Sequence, residues 1–237
     1  MTPDLNILII SALSIGFLHT LLGPDHYIPF IMLAKAQKWS GKKTAWVVAA
    51  CGIGHVGSSI LLGAVGIALG MALSKLTGIE AMRGGLAAWL LIGFGLAYSV
   101  WALLRLARGK SHTHTHVHTD GTIHSHRHSH HQEHMHPHQE QNTSSITPWI
   151  LFIIFIFGPC EPLIPLLMYP AAVHGIWQMA LVALAFAIAT IGTMLAAVLF
   201  AHRGIELISW KRFEKYTHLV AGLTILISGL GIEFLGL

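Results

Sequence analysis

From residue 176 to residue 200 the chain runs without one charged side chain. A stretch that long and apolar has no use for water on any face. About 20 such residues, rising 1.5 Å each, cross the ~30 Å hydrocarbon layer of a bilayer. Comparable blocks recur along the sequence. Spans are expected at 7–22, running through a Gly-Pro break to 34, and at 44–73 and 84–106. Three more are expected at 148–173, again with a Gly-Pro break, at 176–200 and at 216–235. The expected fold is therefore an all-α polytopic membrane protein with six transmembrane helices in a lipid bilayer. Composition agrees: 10% of residues are charged, against about 25% in soluble proteins. The 24 glycines suit close helix packing in lipid.

Charge in the loops sets the expected orientation. Twelve basic residues flank one side: Lys35, Lys38, Lys42, Lys43, Arg105, Arg108, Lys110, Arg127, Arg203, Lys211, Arg212 and Lys215. Lys75 and Arg83 fall on the other. Both termini are expected outside and the long central loop in the cytoplasm, as in a bacterial inner or plasma membrane. The basic residues sit in short loops, so the basic pI of about 9.2 marks topology rather than nucleic-acid binding. The residues before the first apolar block carry no positive charge, so that block is expected to be retained and not cleaved.

Composition changes abruptly over 109–145. Twelve of the 18 histidines lie there: His112, His114, His116, His118, His124, His126, His128, His130, His131, His134, His136 and His138. They alternate with polar residues and have almost no apolar partners. Such a segment buries no core and is expected to be disordered without ligand. Neutral imidazole binds Zn, Ni, Co and Cu(II), so the loop is expected to collect a transition metal. The alternative is a solvated linker. Three regions follow: a first three-span unit (1–108), the histidine-rich loop (109–145) and a second three-span unit (146–237).

The two units resemble each other. Gly23-Pro24-Asp25-His26 aligns with Gly158-Pro159-Cys160-Glu161 at an offset of 135, and the same offset pairs His55-Val56-Gly57-Ser58 with Thr190-Ile191-Gly192-Thr193. Three spans per unit would give the two units opposite polarity. The expected architecture is two inverted three-helix repeats with broken helices, and ligands of such proteins bind at the breaks. Proline supplies no backbone donor, and broken backbone at membrane depth is tolerated only where protein or a wet cavity covers it.

Ionisable groups inside spans are costly and usually functional. Here they collect on the repeated motifs. His19 and His26 stand seven apart, two turns of a continuous helix. Asp25 adjoins His26, His55 lies in the second span beside Ser58 and Ser59, and Cys160 and Glu161 occupy the second break. Imidazole, carboxylate and thiolate together suit a divalent transition metal, so His19, Asp25, His26, His55, Glu161 and Cys160 are the expected ligand set. Plainer roles stay open: a cross-helix hydrogen bond for His55, a small buried apolar role for Cys160, proton carriage for Glu161. No phosphate-binding G-x-x-x-x-G-K-[ST] pattern occurs.

His19-Thr-Leu-Leu-Gly-Pro-Asp25-His26 resembles the H-x-x-x-x-D-H signature of the nickel/cobalt transporter families, the NicO type and its UreH-like relatives, which are related to LysE- and DsbD-type inverted-repeat proteins. Five residues rather than four separate His19 from Asp25 here. The likeness extends to Gly54-His55 and to the six-span layout. It implies a secondary transporter, not an enzyme and without resident cofactor. Its cargo would be Ni²⁺ or Co²⁺, with Zn²⁺ a further candidate, efflux somewhat favoured over uptake and a cytoplasmic metallochaperone a candidate partner. The second break, Gly158-Pro159-Cys160-Glu161-Pro162, also resembles the membrane electron carriers of cytochrome c biogenesis. Those carry a reactive cysteine in each half; here Asp25 stands at the first such position, and Cys51 does not match it. A transmembrane thiol/disulfide carrier is thus the alternative function. An anion exporter would need basic residues within the spans, and none is expected there.

Overall fold

The computed structural model describes residues 3–107, 111–117, 123–129, 146–207 and 214–236. Helix α1 (Pro3–Leu22) stops at Gly23-Pro24 and gives way to a single 3-10 turn, Pro24–His26, before α2 (Ile28–Ala36). Pro29 sits in the first turn of α2, where a missing N–H breaks no helical bond. Helix α3 (Gly41–Ala68) begins at Ser40, whose hydroxyl accepts the Lys43 amide at 3.3 Å. Then come α4 (Leu73–Ala107), β1 (Ser111–Val117), β2 (Ile123–Ser129), α5 (Thr147–Phe157), α6 (Leu163–Val173), α7 (Ile176–Leu207), a 3-10 turn at Glu214–Tyr216 and α8 (Thr217–Leu235).

Among the described residues, five helices are long and apolar enough to cross a membrane: Leu5–Leu22, Gly41–Ala68, Leu73–Ala107, Ile176–Gly204 and Glu214–Leu235. The chain is a polytopic helical membrane protein. The fourth expected span, 148–173, is instead two 11-residue helices, α5 and α6. Each is only ~16 Å long at 1.5 Å per residue. Residues 158–162, with prolines at 159 and 162, interrupt the ladder between them. The third span also differs, since α4 starts at Leu73, eleven residues before the expected edge, and so takes Glu80 and Arg83 into the helix.

The helices enclose two apolar clusters. One gathers Phe30, Val48, Cys51, Leu151, Phe155, Met194 and Ile225. The other gathers Ala12, Val56, Cys160, Leu163, Leu167 and Phe186. Helix α3 passes from the first cluster at Cys51 to the second at Val56, with His55 at the crossing. The α5–α6 segment does the same between Phe155 and Cys160. The polar groups thus lie at the seam between the cores. Small residues bring α4 and α8 into direct contact: Gly95 faces the backbone of Leu226, and Gly222 faces Ser99.

The histidine-rich loop includes an antiparallel ribbon, in which β1 and β2 pair His112 with His128, His114 with His126 and His116 with His124. His118, His130, His131, His134, His136 and His138 lie outside the described residues.

Candidate functional site at the helix breaks

The turn after α1 draws three histidines together. His19 is in the last turn of α1, and the helix ends before His26 at the expected Gly-Pro break. Gly23 and Pro24 fold the chain back instead, and the His19 and His26 rings meet edge to face at 4.8 Å. His55 comes from α3 and meets His26 in the same way at 5.1 Å. One nitrogen from each of the three lies within 4.8 Å of the others. His26 and His55 are each 3% exposed.

Hydrogen bonding assigns the ring nitrogens. Nδ1 of His55 faces the carbonyl of Phe155 at 3.3 Å. Nδ1 of His26 faces the carbonyl of Gly23 at 3.2 Å and Oδ1 of Asp25 at 3.1 Å. These oxygens only accept, so in a neutral ring Nδ1 carries the proton and Nε2 offers its lone pair. Nε2 of His19, His26 and His55 are all buried, with no hydrogen-bond partner among the described residues. A cavity of about 340 Å³ opens onto them, walled also by Asp25, Gly158 and Pro159. Three convergent imidazoles, one oriented by a carboxylate, can hold a divalent transition metal.

The other expected ligands lie elsewhere. Glu161 is exposed and takes no place in this cluster. Cys160 is fully buried, but among the apolar residues of the second core, with its amide donating to Oε2 of Glu80 at 3.2 Å. Cys51, also buried and free, lines a separate apolar hollow with Trp149 and Phe152. Trp39 is 4% exposed and donates to Gln37 at 3.1 Å.

Sequence reasoning missed Glu80 and Arg83. Glu80 is fully buried, and its Oε1 accepts from Nη1 of Arg83 at 2.6 Å. Nη2 of Arg83 donates to Ser58 at 2.6 Å and to the carbonyl of Ile156 at 2.7 Å. Nη1 also reaches Ser59 at 3.3 Å. Arg83 lies within α4 and not in a loop, so a basic residue does enter a membrane-spanning helix, contrary to expectation. The i,i+3 pairing of Glu80 with Arg83 beside an apolar run was the legible signal.

Fold and site together define a helical membrane protein with a polar seam built on two helix breaks. The family model described as cytochrome c biogenesis protein transmembrane region matches residues 28–231, and the chain belongs to that family. No curated protein matches it, and no solved structure does. The family match overturns the nickel/cobalt transporter resemblance and, with it, the expected transport of nickel or cobalt ions. The transporter likeness was close over two short motifs, the first with an inserted residue, and loose elsewhere, whereas the family model matches residues 28–231 as a whole.

Proposed function

We propose that this protein carries reducing equivalents across the membrane by thiol–disulfide exchange, with Cys160 as the exchanging thiol. The observation that carries the reading is the family match over residues 28–231. Cys160 is suited to the role by position: it sits at a helix break, directly after the Gly158 and Pro159 that wall the polar cavity. Cys51 belongs to the other apolar cluster, so a single-thiol relay fits better than an internal disulfide. In that relay the Cys160 thiolate attacks a partner disulfide, forming a mixed disulfide and releasing a partner thiolate that takes up the proton. A dithiol partner then attacks the Cys160 sulfur, releases the first partner as a dithiol, and closes its own disulfide as Cys160 leaves as thiol. Two electrons move from the second partner to the first, and Cys160 is restored.

The architecture we assign to this carrier is two inverted three-helix repeats, 1–108 and 146–237, around the 109–145 loop. Lys38 meets Glu214 at 2.7 Å, and Arg105 lies 3.3 Å from His218. Their meeting supports one end bearing the basic loops, which we assign to the cytoplasm with the histidine-rich loop, leaving both termini outside.

The test is a strain lacking its own transmembrane thiol carrier, holding an extracytoplasmic dithiol reporter. Wild type keeps the reporter reduced and Cys160→Ser leaves it oxidised. A Cys160→Ser chain that still reduces the reporter ends the proposal.

A second reading is favoured by the three unpartnered Nε2 atoms: His19, His26 and His55 hold a resident divalent transition-metal ion, with Asp25 orienting His26. Such an ion is a bound group and not cargo. We extend the same affinity to the histidine-rich loop by composition, through His112, His114, His116, His124, His126 and His128. Metal content of the purified chain, with and without His55→Ala, measures the first site; equal content in both would refute it.

A further inference from the structure

An ion pair inside a membrane helix calls for a reason, because desolvating two charges is expensive and their attraction repays it only with every group satisfied. For Glu80 and Arg83 the reason lies in the broken ladder of α5 and α6. In a continuous α-helix the amide of Cys160 would donate to the carbonyl of Ile156, four residues back. Pro159 and the following turn separate those two groups. The ion pair takes one half each: Glu80 Oε2 accepts the Cys160 amide at 3.2 Å, and Arg83 Nη2 donates to the Ile156 carbonyl at 2.7 Å. The pair joins itself through Oε1 and Nη1 at 2.6 Å. The missing hydrogen bond is thereby replaced by a charged bridge from another helix, α4. Ser58 fastens the bridge to α3, accepting from Arg83 and donating to Ile156 at 2.8 Å.

We infer that Glu80 and Arg83 form a latch that holds the Cys160 segment in its buried place, and that releasing this latch exposes the Cys160 thiol. A hydrogen bond within one helix can open only by unwinding that helix. A bridge between helices opens when α4 shifts against α5, so thiol exposure is coupled to helix movement. Both residues hold the backbone of the break and are positioning residues. The role of the latch rests on the reading of Cys160 as the exchanging thiol.

The experiment measures N-ethylmaleimide labelling of Cys160 and Cys51 in the full chain in membranes, each cysteine followed by its own peptide. Glu80→Gln keeps the shape but cannot satisfy Arg83 and the Cys160 amide with one oxygen. Arg83→Lys keeps the charge but loses the fork that reaches two sites at once. In both variants Cys160 is expected to label about tenfold faster or more, given how strongly the loss of one partner weakens a buried pair, while Cys51 keeps its wild-type rate. Unchanged Cys160 labelling overturns the latch. An equal rise at both cysteines also overturns it, because the pair would then be a general support of the fold. Labelling reads how often the sulfur is reached and needs no electron transfer, so a failed reporter assay with an intact labelling response would reject the relay and leave the latch standing.

Discussion

The two helix breaks use the same opening and finish differently. Gly23-Pro24 ends α1 and Gly158-Pro159 ends α5, and each time the glycine lies under a histidine ring. At the first break the next residues are Asp25 and His26, and both turn toward the cavity. At the second they are Cys160, which enters an apolar core, and Glu161, which is exposed. The orphaned carbonyls are also met differently. Leu21, four residues before Asp25, has its carbonyl taken by the hydroxyl of Tyr27 at 3.3 Å, a neutral group from the same turn. Ile156, four residues before Cys160, has its carbonyl taken by Arg83 from another helix. The first break is closed by its own chain and presents ligating nitrogens. The second is held from outside and hides a thiol. A shared backbone device therefore serves two chemistries, and what separates them is the residue after each proline.

The largest effect that can break this contrast is on thiol transfer. Cys160→Ser is expected to return reporter reduction to the level without a carrier, whereas Cys51→Ser leaves it near wild type. Equal loss in both variants would mean that the thiols work as a pair, and the functional difference between the breaks would fall. The next effect concerns the first break. Asp25→Asn is expected to weaken metal affinity by ~10–100-fold, the usual cost of losing a group that orients a ligand. His26→Ala is expected to lose more, since it removes a donor itself. Metal titration of the purified protein separates the two. If Cys160→Ser lowers metal affinity as much as His26→Ala, the thiol belongs to the same site and the division fails.

Much of this was readable in the sequence because the relevant physics is local. The apolar blocks follow from what a bilayer accepts, and the Gly-Pro breaks follow from proline's missing donor. His19, His26 and His55 were marked by their cost in such surroundings, and the fold does bring them together. What escaped depends on distant partners. The fate of Cys160 and Glu161 turns on which way the residues after Pro159 face, and no period in the sequence encodes that. Arg83 was lost to a boundary. Placed just before an expected span it read as a topology mark, while α4 in fact begins at Leu73 and carries it inside. A charge at a span edge has two readings, and only the hydrogen bonds to Ser58 and Ile156 decide between them.

The smallest effect sharpens the comparison most, because it asks how firmly each break holds its histidine. Neither glycine is required by its backbone angles: Gly23 has φ −92° and Gly158 has φ −57°, both open to any residue. Each is required by proximity. A methyl group at Gly23 would stand 2.7 Å from Nδ1 of His26, 3.0 Å from Oδ1 of Asp25 and 3.0 Å from the His19 carbonyl. At Gly158 it would stand 2.9 Å from Nδ1 of His55 and 3.2 Å from the Phe155 carbonyl. Overpacking of this kind costs about 1–3 kcal/mol. Gly23→Ala crowds three groups of the site at once, and Gly158→Ala crowds one ring and its acceptor. Thermal unfolding in detergent is therefore expected to show a loss for both, with the fall in metal affinity larger for Gly23→Ala. Gly192→Ala is the control: it has open space around it, and alanine within a helix gains about 0.5–1 kcal/mol over glycine. If Gly158→Ala lowers metal affinity more than Gly23→Ala, then His55 sets the geometry of the cluster, and the second break contributes to the nitrogen site through the ring it supports.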